Sequence, residues 1–138
     1  MKIEMNILAN ICKVFFASLG GILGDAVGGF DSLFYALVAF VTLDYVTGVL
    51  LAVYNKKLSS AIGFRGINKK VLIFLIIATG SIIDQYVIKS GNTLRTLLIM
   101  FYLSNEGLSI IENTGKMGVP LPKKLKDTIE KLSDEEDS

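Results

Sequence analysis

The sequence predicts an all-α integral membrane protein with three to four transmembrane helices, four being favoured. A short amphipathic helix should follow at the C-terminus, on the cytoplasmic side. Three observations carry this prediction. Of the 138 residues, 51% are hydrophobic, and the mean hydropathy is +0.55. The water-facing residues of a soluble domain of this size would pull that mean below zero. The apolar residues fall into long runs, and a helix needs about 20 of them to cross a bilayer. Most of the charge collects between those runs or in the tail.

The runs lie at about 7–23, 33–54, 71–88 and 94–111, inside a transmembrane unit over 1–115. A cytoplasmic tail, amphipathic and then acidic, occupies 116–138. The second run is the most secure. Its Leu, Ile, Phe and Val residues each favour insertion by about 0.3–0.6 kcal/mol, summing to about 5 kcal/mol. Asp44 lies in its middle and costs about 2.5–3.5 kcal/mol on the same scale. Insertion still wins, but Asp44 must face neighbouring helices or water rather than lipid. Thr47, Gly48 and Ala52 continue its stripe at helical spacing. The stripe is small and weakly polar, suited to a helix interface or a pore.

The first run begins after Lys2 and contains Lys13. Its end, "SLGGILGDAVGG", offers no clear Ala-x-Ala cleavage site, so it is read as retained. Asn6, Asn10, Lys13, Ala17, Gly20 and Gly24 share one face. That face fits close helix packing, a water-lined surface or a helix lying in the interface. The last case would leave three spans. The fourth run holds Arg95, Asn105, Glu106, Ser109 and Glu112. Arg95 and Glu112 are expected to snorkel at its two ends. Asn105, Glu106 and Ser109 then lie within the span, and intramembrane ionisable groups are functional candidates by default.

Charge sets the orientation. The segment 55–70, read as a loop, holds Lys56, Lys57, Arg65, Lys69 and Lys70 and no acid. Such short basic loops stay in the cytoplasm. The loop between the first two runs holds Asp25 and Asp31 and no base, which suits the outside. In the tail, Pro120 and Pro122 end the preceding helix. Leu121, Leu125, Ile129 and Leu132 then recur among lysines. A helix of that pattern fits an anionic membrane surface.

Composition narrows the chemistry. There is no His or Trp and a single cysteine, so Ser/His/Asp catalysis, cysteine metal clusters and an internal disulfide are excluded. "GGILGDAVGG" lacks the Gly-Lys-Ser/Thr ending of a phosphate loop. No enzyme, no cofactor, no metal and no nucleic-acid partner is expected.

The stretch "LDYVTGVLLAVYNKKLSSAIGFRGINKK", residues 43–70, resembles the signature of the toxin secretion/phage lysis holin family, the group of clostridial TcdE-type holins. "LRTLLIMFYLSNEGLSIIENTGKMGVPLPKKLKDTIEKL", residues 94–132, resembles that family's second half. The resemblance implies a non-enzymatic protein of the bacterial cytoplasmic membrane. Such a protein forms homo-oligomeric lesions that free an endolysin for host lysis, or release a large toxin. Asp44, Thr47, Gly48, Ala52, Asn105, Glu106 and Ser109 are then candidates for the pore or helix interface. The alternative class is a small proton-coupled exporter or channel with a buried carboxylate, which passes only small solutes.

Overall fold

In the computed structural model, residues 1–128 and 131 are described, and among them no strand occurs. The helices are α1 (Lys2–Ala26), α2 (Ser32–Tyr54), α3 (Ser60–Ile82) and α4 (Thr93–Lys116). A π-helical turn, Ile83–Ile88, extends α3 without a break. All four are long and apolar enough to cross a membrane. At about 1.5 Å per residue, α2 is about 35 Å long, enough for a hydrocarbon core of about 30 Å.

The helix starts follow from local chemistry. Asp31 caps α2, accepting a hydrogen bond from the Phe34 amide at 2.9 Å. Ser59 caps α3 in the same way through Ile62, at 3.2 Å. Each side chain satisfies one of the amides that a helix N-terminus leaves without a partner.

The third element differs from its expected extent. It begins at Ser60 rather than at residue 71, so the α2–α3 connection shrinks to residues 55–59. Lys56 and Lys57 remain in that connection, Lys56 with φ +55°. Arg65, Lys69 and Lys70 become residues of α3. The Ser59 cap and the absence of any Pro between 60 and 88 let the helix run through the glycines at 63 and 66. With its π-helical extension α3 spans 29 residues. That is about 43 Å, longer than the hydrocarbon core.

The packed core is small. It joins Phe34, Leu37 and Val41 of α2, Ile73 and Ile77 of α3, Ile99 of α4 and Val27 of the first connection. α4 packs along α2 over most of its length and also lies against α3, while α2 and α3 touch only lightly. Close approach is bought with glycine: a Cβ on Gly80 would lie 2.6 Å from Leu98 Cδ1. α1 stands largely apart. Residues 1–19 are all exposed, and burial begins only near Gly24, on which the Phe30 ring rests. At the other end, Leu121 folds back over Gly115. Residues 123–128 are helical, whereas Ile129, Leu132 and the acidic end of the tail lie outside the described residues.

Candidate functional site

The middle of α2 supplies Asp44, which is buried. The interior of α4 supplies Glu106, also buried. Between them lies the ammonium of Lys70 from α3. Lys70 Nζ donates to Asp44 Oδ2 and, at 2.5 Å, to Glu106 Oε2. One residue from each packed helix thus meets at a single point, with two carboxylates to one ammonium.

A fourth polar side chain extends the cluster. Asn113, two turns beyond Glu106 on α4, donates to Asp44 Oδ1 at 3.2 Å and to Thr47 Oγ1 at 3.0 Å. The Thr47 hydroxyl in turn donates to the Asp44 carbonyl at 3.0 Å. Among the described residues, no buried side-chain polar atom lacks a partner. This arrangement is what hydrocarbon demands, because an unpaired charge there is expensive.

The residues singled out in the sequence divide. Asp44, Thr47 and Glu106 belong to the ionic cluster or touch it. Gly48 and Ser109 line a cavity of about 260 Å³ that opens beside Asp44. Ala52 is half-buried farther along α2, and Asn105 is exposed on the outer face of α4, away from the cluster. Lys70, expected to serve as a loop charge, is instead the cation at the centre. Asn113 carried no signal beyond its place one helical repeat from Glu106. Lys69 lines the cavity beside Lys70, and Arg65 lies exposed one turn earlier.

A second cluster closes the opposite end of the bundle. Arg95 is 1% exposed, so it does not snorkel at a helix end. Its Nε donates to the Val27 carbonyl at 2.5 Å, and Nη2 donates to the Gly29 carbonyl at 2.8 Å. Nη1 and Nη2 grip Asp31 at 2.8 and 3.2 Å, the fork-to-fork geometry that favours Arg over Lys. Asp84, fully buried in the π-helical turn, accepts from the amides of Leu94 at 3.1 Å and Arg95 at 2.9 Å. It thereby caps α4. Glu112 forms an ordinary exposed pair with Lys116 at 2.8 Å.

Asp31 lies in the connection ahead of α2, and its hydrogen bonds with Arg95 hold its carboxyl below the ordinary value of 3.8. The sign follows. A lowered acid adds stability that is complete above the ordinary value and is lost as pH falls through the lowered one. The thermal-midpoint gap between wild type and Asp31→Asn in detergent should therefore stay constant from about pH 8 to 5. It should shrink only below about pH 4. A gap that closes near neutrality would show that Asp31 does not act through this pairing.

These features define a small multi-pass membrane protein with an ionic cluster buried between three of its helices. The profile of the bacteriophage holin family matches residues 21–134, and the chain belongs to that family. It is 38% identical to an uncharacterised 14.9 kDa protein of the nagH 3′ region of Clostridium perfringens, over 94% of this chain and 98% of that one. It is 40% identical to the uncharacterised protein Lin0175 of Listeria innocua, over 86% and 84%. A probable holin of Bacillus phage phi105 is 34% identical, over 69% of this chain and 70% of its own. No solved structure matches the chain.

Proposed function

We propose that this protein is a working holin. It accumulates in the bacterial cytoplasmic membrane, associates with copies of itself, and opens lesions that pass an endolysin or a large toxin. Within this reading, residues 1–115 form the membrane unit with four spans. The α2–α3 connection, both termini and the tail from 116 to 138 face the cytoplasm, and Lys56, Lys57, Arg65 and Lys69 hold that orientation. Holins are in general not enzymes, and no catalytic role is proposed for this chain.

The observation that carries the reading is the Asp44–Lys70–Glu106 cluster. Charges satisfied by one another keep a closed bundle stable in lipid. The same groups can line water once the helices separate, so one set of residues serves both states. The exporter reading needs a carboxylate free to trade a proton for a cationic substrate. Asp44 is occupied by Lys70 and Asn113, so the lesion-forming reading is preferred.

Inducible expression tests it. After a lag, viability should fall abruptly while a folded cytoplasmic reporter enzyme escapes. Leakage of small solutes alone would refute lesions wide enough for a folded protein. Asp44→Asn leaves Lys70 paired one-to-one with Glu106 and keeps an acceptor at residue 44. It should accumulate and associate normally but open late or not at all. Lysis on the wild-type schedule, at matched abundance, would remove the carboxylate from gating.

Orientation has its own test. With Cys12 replaced by Ala, a cysteine substituted for Ser60 should resist a membrane-impermeant thiol reagent in intact, unlysed cells. Ready labelling would reverse the topology.

A further inference from the structure

The cavity beside the ionic cluster is not explained by lesion formation. Its volume is about 260 Å³, a little below the usual range for pockets that enclose small molecules. It fills the gap where α2 and α3 touch only lightly. Tyr45, Gly48 and Val49 form its α2 wall, while Leu58, Ile62, Gly63 and Gly66 form the other side. Most of that lining is apolar. Lys69 and Lys70 line it as well, together with Asp44, Ser109 and Asn113. Lys70 is held by two carboxylates, whereas Lys69 has no carboxylate partner among the described residues. Arg65, one turn before Lys69, shares its face of α3.

We propose that this cavity binds one anionic phospholipid, with an acyl chain between α2 and α3 and the phosphate on Lys69 and Arg65. Three features select this occupant. The walls are apolar and narrow, which suits a hydrocarbon chain. The glycines at 48, 63 and 66 thin its walls to backbone, with the Tyr45 ring and the Asn113 amide 3.3–3.7 Å from where their Cβ atoms would be. The segment 55–70 carries only positive charge, and basic pockets between membrane helices take anionic headgroups. The length of α3 puts its first turns at the headgroup level when the rest of the helix spans the core. A lipid wedged here adds packing between α2 and α3 that the chain itself does not supply.

The test uses the full chain reconstituted with equal phosphatidylglycerol and phosphatidylcholine, then extracted in mild detergent for native mass spectrometry. One phosphatidylglycerol should remain bound per chain, in preference to phosphatidylcholine. Lys69→Gln should weaken retention about fivefold, the ordinary weight of one basic residue at an anionic membrane surface. Val49→Phe, which narrows the cavity without touching the charges, should also lower retention. Circular dichroism of both variants checks that helicity is kept. Equal retention of the two lipids overturns the proposal, as does retention unchanged in Lys69→Gln. Displacement by millimolar inorganic phosphate also overturns it, since the site would then read a free anion rather than a lipid.

Discussion

Lys70→Met should lower membrane accumulation more than any other single substitution at the ionic cluster. Met has nearly the length of Lys and fills the same space, so the change removes charge with little loss of packing. It leaves Asp44 and Glu106 facing each other in a buried site without their shared donor. Removing one partner of a buried pair costs about 3–5 kcal/mol, a large share of the stability of a domain this small. The neutral triple variant, Lys70→Met with Asp44→Asn and Glu106→Gln, separates charge from shape. It strands no ion, and Asn113 still has an amide oxygen to bond at residue 44. It should regain most of the lost protein, because replacing a whole buried ionic group with neutral residues is often tolerated. Immunoblots of membrane fractions and thermal midpoints in detergent are the measurements. Wild-type accumulation and midpoint in Lys70→Met would show that Lys70 is a surface charge and not the centre of the bundle.

The same residue shows where sequence reasoning stops. The helices of the membrane unit were legible because each apolar run must satisfy its backbone internally in lipid, which leaves a helix as the default. Asp44 and Glu106 stand out because a carboxylate in such a run needs a partner, and both are buried and paired. The partner itself was hidden. Lys70 adjoins Lys69 at the end of a basic segment, and one-dimensional charge counting assigns such a segment to a loop. Lys70 reaches Asp44 from within α3, which starts at Ser60 behind the Ser59 cap. Arg95 was misplaced for a related reason. An arginine near a helix end snorkels by default, and nothing local reveals that three groups of a distant connection converge on it. Asn105 stands apart from the cluster on the single chain. It lies next to Glu106 in sequence, but adjacent residues on a helix point about 100° apart, and it faces outward. Ion pairing between helices is a property of their rotation about their axes, and no single apolar pattern specifies that.

Arg95→Leu should release the first connection, and with it α1, from the rest of the bundle. α1 has little else to hold it, since residues 1–19 are exposed and its buried contacts begin at Gly24. The guanidinium bonds two backbone carbonyls and a carboxylate of that connection from a site 1% exposed. Leucine offers none of those donors, and each carbonyl stranded away from water costs about 1–3 kcal/mol. Arg95→Lys should recover only part of the loss, because one ammonium cannot reproduce the fork on Asp31. Gly28→Ala attacks the same clamp from the other side. Gly28 has φ +82°, and a Cβ there would lie 2.6 Å from Arg95 Cδ and Nε and from Ser81 Oγ. The left-handed backbone alone costs a residue with a side chain about 1–2 kcal/mol, and the collision adds to it. Hydrogen exchange in detergent reads the outcome region by region. Arg95→Leu and Gly28→Ala should each lose protection over residues 20–31 while the α2–α4 contact around Leu37 and Ile99 keeps its own. Uniform loss across the chain would mean that Arg95 holds the whole fold together. Unchanged exchange at residues 20–31 would mean that α1 is anchored by something other than this clamp.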